Sequence, residues 1–214
     1  MCGRYGLYDI GDSELLEKYL GQDFKPNYNA APTQSMPVIS VNDGKVSVKK
    51  MVWGIDRKLG PDVEKNLFNT RSEKALGRFW GKTVRTHRCL VPANGFYEWK
   101  KSKDGKQPFW IYSPLHKLIY FAGIYDVDNE GNEHYSIMTA SPNKEMSQLH
   151  DRMPVILDAA DQDNWLQAGE DESELLSELL RPLPDGSLTM HEVSKDVNYV
   201  RNNKGELIVP LNPA

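Results

Sequence analysis

A β-hairpin is predicted by residues 36–53, which read MPVISVNDGKVSVKKMVW. Residues 36–41 are apolar and rich in β-branched side chains, which favours a strand. Asn42-Asp43-Gly44 follows as a turn signal, because these residue types tolerate the backbone conformations of a tight hairpin. Residues 46–53 then alternate between two faces, as they do in a strand with one side buried. The pattern therefore predicts two antiparallel strands.

Further strands are predicted wherever apolar runs are separated by turn residues. They lie at residues 89–91, 96–99, 109–112, 118–127 and 134–139, with breaks at Pro92 and Gly95 and turns at Asp104-Gly105 and Asn129-Glu130-Gly131. Because strands follow one another in hairpins and do not alternate with helices, we expect an α+β fold. It would be a mainly antiparallel sheet or barrel with peripheral helices. No linker interrupts the chain, which predicts one domain over residues 1–214.

Four amphipathic helices are predicted from apolar spacing and capping residues. They comprise a helix capped by Asp12 or Ser13 with Leu15, Leu16, Tyr19 and Leu20 on one face, a helix capped by Ser72 that holds Ala75, Leu76 and Phe79, and helices over residues 161–167 and 172–180. Pro182 and Pro184 end the last of these, since proline cannot continue a helix.

The composition is that of an ordinary soluble protein, with 214 residues, 39% of them hydrophobic and 26% charged. No run of eighteen apolar residues and no secretory signal occur, so we expect a cytoplasmic protein without membrane spans, and a monomer. Cys2 and Cys89 are expected to stay unpaired in a reducing compartment. The five histidines are scattered and no CxxC pattern occurs, so neither a metal nor a cofactor is predicted.

Charge is unevenly distributed, although the net charge is only −4. A basic stretch contains Arg71, Lys74, Arg78, Lys82, Arg85 and Arg88, relieved only by Glu73. Residues 158–178, in contrast, carry acidic side chains and no Lys or Arg. A polyanion could bind locally to the basic stretch, and a solvated helix face is the ordinary alternative.

Cys2 directly follows the initiator Met1. Removal of Met1 would give Cys2 a free α-amine beside its thiol, groups that titrate at about pH 8 and about pH 8.5. Such a 1,2-aminothiol condenses with an aldehyde to a Schiff base, which the thiol closes to a thiazolidine ring. Taken alone, a cysteine at position 2 is better explained by chance, so the hypothesis depends on the rest of the chain.

Three polar residues stand in apolar or turn-rich surroundings and are candidates for catalysis. Glu98 is flanked by aromatic residues, so partial desolvation would make it a usable general acid or base. Strand geometry equally permits Glu98 to point outward. His150 has a capping or core role as its alternative, and Asn69 could be a turn residue that stabilises its own backbone.

Arginines and aromatic residues supply candidate DNA contacts. Arg4, Arg71 and Arg152 each follow a candidate catalytic residue by two positions, where a guanidinium could hold a phosphate. Aromatic candidates for stacking on unpaired bases are Trp53, Trp99, Trp110, Tyr28 and Phe79. Most aromatic residues of a β-rich chain lie in the core, so at most one or two are expected to contact a ligand.

Taken together, these motifs resemble the SOS response-associated peptidase (SRAP) family of abasic-site processing proteins. The matching segments, in family order, are Met1-Cys2-Gly3-Arg4-Tyr5, Asn29-Ala30-Ala31-Pro32-Thr33, Val52-Trp53-Gly54, Asn69-Thr70-Arg71-Ser72-Glu73, Arg88-Cys89-Leu90-Val91-Pro92-Ala93-Asn94-Gly95-Phe96-Tyr97-Glu98-Trp99-Lys100 and His150-Asp151-Arg152-Met153-Pro154-Val155. Each motif is weak alone, and the six in order are specific. Tyr5, Thr70 and Asn94 depart from the common family residues, and none of the three is a proposed catalytic group.

The resemblance implies a sensor of abasic sites in single-stranded DNA that forms a covalent thiazolidine crosslink. It implies Cys2 as the nucleophile, surrounded by Asn69, Glu98 and His150. Either Glu98 or His150 would move the protons that open the sugar, and Glu98 would also assist slow reversal. The implied DNA contacts are Arg4, Arg71, Arg78 and Arg152, with Trp53 and Trp99 stacking or wedging at the strand. The family name reflects a proposed self-processing peptidase activity that would remove Met1.

Two other functions use the same residues. A cysteine peptidase or N-terminal-nucleophile hydrolase would use the Cys2 thiol with His150 and either Glu98 or Asn69. A single-stranded DNA-binding module would need no chemistry at all. The α-amine distinguishes the first alternative from the crosslinking hypothesis, since only the thiazolidine requires it.

Overall fold

The structure is a computed structural model that describes residues 2–11, 13–60, 63–102 and 105–212. Its strands are β1 (Tyr5–Leu7), β2 (Asn27–Ala30), β3 (Ser35–Asn42), β4 (Lys45–Trp53), β5 (Ile55–Gly60), β6 (Val63–Leu67), β7 (Asn69–Arg71), β8 (Arg88–Ala93), β9 (Gly95–Ser102), β10 (Gly105–Tyr112), β11 (Ile119–Val127), β12 (Glu133–Ala140), β13 (Met153–Pro154), β14 (Ile156–Leu157) and β15 (Thr189–Glu192). Its α-helices are α1 (Glu14–Leu20), α2 (Gly81–Thr86), α3 (Lys144–Ser147), α4 (Ala159–Gln167) and α5 (Ser173–Leu179). Short 3-10 helices lie at Gly21–Asp23, Ser72–Lys74, Lys195–Asn198 and Gly205–Ile208.

Five strands close into a barrel, which confirms the predicted α+β class. The order is β12-β4-β3-β8-β11, and β11 pairs with β12 to complete the circle. The hairpin predicted at residues 36–53 forms β3 and β4, with Asn42 paired to Lys45 across its turn. The barrel is mainly antiparallel, and the parallel β12–β4 contact is short. Closure removes the exposed edges that an open sheet would leave.

A second sheet, in the order β15-β10-β9-β1-β2, carries the beginning of the chain. Strand β1 lies between β2 and β9, so the N-terminal segment is paired on both sides. A chain terminus frays unless it is tied into the fold in this way. The sheet therefore holds the residues after Cys2 in a fixed position.

Aromatic side chains fill the core where the barrel meets this sheet. The ring of Tyr5 packs edge-on against Trp53 and Phe121, at centroid distances of 5.1 and 5.9 Å. Trp53 also stacks on Tyr135 at 6.2 Å. Tyr5, Trp53, Phe121 and Tyr135 are all fully buried. Such rings bury large apolar areas and pack with defined geometry.

Arg88, the last residue of the basic stretch, is a structural cation. It is buried, and its guanidinium donates hydrogen bonds to carbonyl oxygens at the end of α2 and at the end of α4. The last carbonyls of a helix lack intrahelical partners, and a cation there also suits the helix dipole. Arg88 thus ties two helices to the barrel and is not available to a ligand.

Two details of the predicted secondary structure are wrong. Pro92 does not interrupt a strand, since it lies inside β8. The hydrogen-bonded pairing of β8 with β3 ends at Leu90, before the proline. The helix predicted from Ser72 is only a 3-10 turn, and the α-helix begins at Gly81. Glycines at 77 and 81 weaken a continuous helix between these points. Phe79 is consequently 49% exposed.

Other local predictions are confirmed. Ser13 caps α1 by accepting a hydrogen bond from the backbone N–H of Leu16, and α4 and α5 match the two late helices. Asp12 and Asp104 lie outside the described residues. No helix in the described part of the chain is long and apolar enough to cross a membrane.

Gly95 offers a test of the junction between β8 and β9. A Cβ at this position would lie 2.5 Å from the Ile111 carbonyl oxygen and 2.5 Å from Trp110 Cζ2. Because a backbone atom cannot easily move aside, we expect Gly95→Ala to lower the free energy of unfolding by about 1–3 kcal/mol. Urea denaturation followed by tryptophan fluorescence measures this change.

Gly169→Ala is the matched control, since Gly169 is exposed and only the flexible Glu172 side chain approaches it. Equal stability of the two variants would contradict the close packing inferred at Gly95.

Candidate functional site

Cys2 is fully buried at the point where the chain enters the second sheet. The Arg4 carbonyl accepts a hydrogen bond of 2.9 Å from the backbone N–H of Tyr97, which extends the β1–β9 ladder towards Cys2. The Cys2 thiol donates to the same carbonyl, with a distance of 3.7 Å from Sγ to oxygen. The nucleophile candidate is therefore held by backbone contacts.

Asn69 reaches Cys2 from the barrel. It begins β7, which pairs in parallel with β12, and its Nδ2 donates a hydrogen bond of 2.7 Å to the Cys2 carbonyl oxygen. Its Oδ1 is buried and has no hydrogen-bond partner among the residues that the structure describes. A buried acceptor without a partner is costly, which favours a donor on a ligand at this position.

Trp53 holds the chain directly before Asn69. Its indole Nε1 donates a hydrogen bond of 2.9 Å to the Phe68 carbonyl oxygen. The ring is fully buried between Tyr5 and Tyr135, so it offers no face to a DNA base in this structure. In this structure the Trp53 indole contacts the backbone directly before Asn69, and its predicted contact with DNA stays a prediction.

Glu98 points inward, which resolves the alternative that sequence left open. It lies on β9 with only 3% of its surface exposed. Burial raises the pKa of the Cys2 thiol well above its usual range, and the negative charge of Glu98 raises it further. At neutral pH the buried thiol is therefore protonated, and a carboxylate lies close enough to influence it.

His150 follows α3 and has a half-buried side chain. Its Nδ1 accepts a hydrogen bond of 3.0 Å from the backbone N–H of Arg152, which favours the tautomer with the proton on Nε2. Nδ1 also lies 2.8 Å from Oδ1 of Asp151, whose side chain is 85% exposed. The Asp151 carboxylate is solvated, so we take the backbone contact as the one that orients the ring.

Glu98 and His150 face a common cavity. It has a volume of about 590 Å³ and is lined by Glu98, Trp99, Lys101, Lys106, His150, Lys195 and Asn198. Cys2 does not line this cavity, but its thiol interacts electrostatically with Glu98, which does. Asn69 connects Cys2 to the barrel by a hydrogen bond to the Cys2 carbonyl oxygen. The fold thus brings together the four residues predicted to be catalytic from separate regions of the sequence.

The four arginines predicted to bind DNA fall into two groups. Arg71 and Arg78 are exposed. Arg4 donates hydrogen bonds to Asn29 Oδ1 at 2.9 Å and to the Val197 carbonyl oxygen at 2.8 Å. In this structure its Nη1 atom is therefore occupied by protein acceptors.

Arg152 forms an ion pair with the exposed side chain of Glu73 instead of an open phosphate site. Its Nη1 and Nη2 atoms lie 2.5 and 3.0 Å from the two carboxylate oxygens of Glu73, and Nη2 also donates to the Thr139 carbonyl. The hydrogen bond from Arg152 lowers the pKa of Glu73. A phosphate contact by Arg152 would require this bidentate pair to open, and it stays a prediction.

Trp99 is half-buried at the cavity wall, where a base could reach it. Its indole Nε1 donates a hydrogen bond of 2.7 Å to Asn198 Oδ1, and the Arg4 guanidinium lies 5.9 Å from its ring centroid. The ring is fixed at two points and remains a candidate for stacking.

Several functional candidates were missed by sequence reasoning. Lys101, Lys106, Lys195 and Asn198 line the cavity, and Asn29 anchors the segment that carries the last two. The dense lysines of residues 100–106 were a visible signal. Lys195 could not have been placed, because its approach depends on how the end of the chain packs.

A second cavity, of about 510 Å³, lies near the β11–β12 turn. It contains the Arg57–Asp126 ion pair and the contact between His134 Nε2 and Asp128 Oδ2 at 3.1 Å. None of the predicted site residues lines it. In the described part of the chain, no group of three or more His, Cys, Asp or Glu side chains could hold a metal ion.

A sequence model of the family described as SOS response associated peptidase (SRAP) matches residues 1–200. The chain belongs to the SRAP family. It is 36% identical over 225 residues to a Bacillus subtilis (strain 168) relative named abasic site processing protein YoqW, covering 97% of this chain and 99% of that protein. It is 31% identical to the Gallus gallus abasic site processing protein HMCES, covering 88% of this chain and 67% of that protein.

Solved structures show the same fold. A protein from Bacteroides thetaiotaomicron superimposes with a TM-score of 0.80 at 20% identity, covering 99% of this chain and all of that one. A phage-related protein from Bordetella bronchiseptica gives a TM-score of 0.70 at 24% identity, over 91% of this chain and 95% of its own.

The three departures from common SRAP residues all lie in buried networks. Tyr5 and Tyr135 share a hydroxyl hydrogen bond of 2.8 Å, and Thr70 Oγ1 lies 2.9 Å from Ser136 Oγ. Asn94 accepts from the backbone N–H groups of Tyr8 and Asp9 and donates to two carbonyls. Each of these polar groups is hydrogen-bonded, so the departures fit the SRAP fold.

The influence of Glu98 on Cys2 can be tested by thiol alkylation. Glu98→Gln removes a negative charge that raises the pKa of the Cys2 thiol, so we expect its alkylation profile to shift to lower pH and its rate near pH 8 to rise a few-fold. The rate is followed by mass spectrometry of the peptide that contains Cys2.

Cys89 provides the internal control, because it is also fully buried and burial alone raises its pKa. A Cys2-to-Cys89 rate ratio that is unchanged in Glu98→Gln would show that the carboxylate does not act on the thiol.

Proposed function

We propose that this protein captures abasic sites in single-stranded DNA through a covalent thiazolidine crosslink to Cys2, after Met1 has been removed. Its membership of the SRAP family and its relatives named abasic site processing proteins support the general role. The proposal includes monomeric action in the cytoplasm, on DNA that has lost a base.

The observation that carries the proposal is the fixed backbone of Cys2 next to two groups suited to aldehyde chemistry. Asn69 holds the Cys2 carbonyl at 2.7 Å, and the buried Glu98 carboxylate acts electrostatically on the thiol. Anchoring the backbone of a terminal residue orients both its α-amine and its thiol. Fixed orientation of this kind replaces an unfavourable encounter in solution.

The reaction joins one aldehyde to one aminothiol with loss of one water. The α-amine adds to C1′ of the opened sugar, and the carbinolamine oxygen leaves as water to give a Schiff base. Sγ then bonds to C1′, and the thiol proton ends on the ring nitrogen. Because burial keeps the Cys2 thiol protonated at neutral pH, we expect the amine to react first.

The neighbouring residues divide the proton transfers. Glu98 takes the proton from the Cys2 ammonium and returns one to the departing hydroxyl. During ring opening, His150 donates a hydrogen bond from Nε2–H to the ring oxygen O4′, while Glu98 carries the C1′ hydroxyl proton to O4′. The buried Oδ1 of Asn69 accepts a hydrogen bond from the amine or the sugar. The same Glu98 would assist reversal, since each step runs in both directions.

DNA binding then rests on exposed groups. Arg71 and Arg78 are available to phosphates, and Trp99 to a base. Arg4 and Arg152 act through protein contacts in this structure, and Trp53 positions Asn69. We therefore propose a positioning role for these three residues.

The peptidase alternative has less support. A thiol peptidase needs a thiolate paired with an imidazole. Here burial raises the pKa of the Cys2 thiol, and its described hydrogen bond goes to the Arg4 carbonyl oxygen. The Cys2 thiol could still act once per chain to remove Met1. Alternatively, an ordinary methionine aminopeptidase could remove it.

Covalent capture is tested by mixing Met1-free protein with single-stranded DNA that carries one abasic site. We expect a species of slower mobility on a denaturing gel, and its complete loss in Cys2→Ala, because that variant lacks the thiol that closes the ring. An adduct that persists in Cys2→Ala, or none in the native protein, would overturn the proposal.

Acetylation of the processed N-terminus separates the two chemistries in the same assay. It should abolish the thiazolidine, whereas a thiol-only reaction would survive it. Cys89→Ala is the matched control for loss of a buried thiol.

Glu98→Gln tests the proton-transfer role. Loss of one positioned acid or base typically costs about 10²–10⁴-fold, so we expect adduct formation and its reversal to slow together, by at least tenfold. Single-turnover time courses, followed by chase with excess competitor, measure both rates. Native rates in both directions would exclude Glu98 from proton transfer.

A further inference from the structure

We propose that Lys101, Lys106 and Lys195 form a subsite that binds a phosphate of the DNA strand flanking the lesion. The subsite rests on the proposed function, because it extends the same cavity that Glu98 and His150 line. It adds to the predicted arginines a second group of cations, from other parts of the chain.

Lys101 and Lys106 are direct partners across the β9–β10 ladder. Side chains in this relation lie side by side on one face of the ribbon, and two like charges there destabilise the strand pair. Both lysines are exposed, and both line the cavity. A bound anion between them would turn this repulsion into attraction.

Among the residues that the structure describes, no carboxylate forms an ion pair with these lysines. Asp196, the acidic neighbour of Lys195, lies 3.6 Å from Lys204 instead. In a chain of net charge −4, the three cations that line this cavity outnumber its one lining carboxylate, Glu98, and leave it locally positive.

The third lysine reaches the cavity from the far end of the chain. Lys195 begins the 3-10 helix Lys195–Asn198, whose Asn198 Oδ1 accepts from the Trp99 indole. The carbonyl of Val197, in the same helix, accepts from Arg4 and from Asn29. These contacts fix the segment next to the residues that flank Cys2. The backbone of Lys195 is therefore held near Lys101 and Lys106.

The position of the subsite favours a neighbouring nucleotide over the lesion itself. Lys101 follows Glu98 by three residues, which is about 10 Å along an extended strand. The reacting sugar must lie next to Cys2 and Glu98. A phosphate at the lysines therefore belongs to a nucleotide further along the strand, on one side of the abasic site.

The test compares native protein with the Lys101→Gln/Lys106→Gln variant and with Lys195→Gln. Each receives two abasic oligonucleotides, one with its long single-stranded arm 5′ of the lesion and one with it 3′. The measured quantities are the DNA concentration for half-maximal crosslinking and its dependence on salt.

For the double variant, we expect the DNA concentration for half-maximal crosslinking to rise roughly three- to tenfold, as for loss of two exposed ion pairs. The rise should occur with only one of the two oligonucleotides, the one whose arm reaches the lysines. The salt slope should fall by about 0.7 for each phosphate that the variant no longer binds. The rate at saturating DNA should stay native, because the lysines do not touch the reacting atoms. Lys195→Gln should show the same effect at smaller size.

Lys45→Gln/Lys117→Gln is the charge-matched control, since both lysines are exposed and neither lines the cavity. An equal loss of affinity in this control would mean that only net charge matters. Native midpoints and slopes in all variants, or an equal loss with both arm orientations, would overturn the subsite. If native protein forms no adduct at all, the proposed function itself fails, and binding of undamaged oligonucleotides by fluorescence anisotropy still tests the lysines.

Discussion

The backbone pairing between the start of the chain and β9 is the constraint on which the site depends. Tyr5 pairs with Phe96 and Gly6 with Gly95, and the Tyr97 N–H to Arg4 carbonyl bond continues the ladder. A terminal residue is normally mobile, and mobility would scatter its amine and thiol over many positions. Here the β1–β9 hydrogen bonds hold the backbone as far as Arg4, and Asn69 holds the Cys2 carbonyl itself. Once Met1 has been removed, as we propose, these β-sheet hydrogen bonds would hold the amine and the thiol of Cys2 in place.

Burial of the N-terminal segment around Cys2 and β1 requires hydrogen-bond partners for many polar groups. Asn94 accepts two backbone N–H groups and donates to two carbonyls, and Asn29 and Arg4 bridge the N-terminal segment to residues 197–202. Arg88 satisfies the ends of two helices. These side chains act as connectors between backbone segments. Their removal would leave orphaned carbonyl or N–H groups in the interior, which costs more than removal of a hydrogen bond at the surface.

Much of the fold could be predicted from local sequence, because strand alternation and turn residues are local signals. The hairpin at residues 36–53 is the clearest case. The four residues predicted to be catalytic do meet around Cys2 and one cavity, as their motifs indicated. Trp53 and Arg152 show the limit. Sequence alone did not show that the Trp53 indole would contact the Phe68 carbonyl or that the Arg152 guanidinium would pair with Glu73, because both contacts depend on tertiary packing. The missing helix at Ser72 has the same origin, since glycines and barrel contacts overrode an amphipathic pattern.

Asn29 binds the segment of residues 197–202 through backbone atoms alone, which affects which side chains in that segment can change. Its Nδ2 donates to the carbonyl oxygens of Val197, Tyr199 and Asn202, so it reads backbone and ignores side-chain identity. The exposed side chains of Tyr199, Val200 and Arg201 can therefore vary while the backbone of the segment keeps its place beside Trp99. These positions could change which ligands the segment contacts without altering the backbone that borders the proposed site.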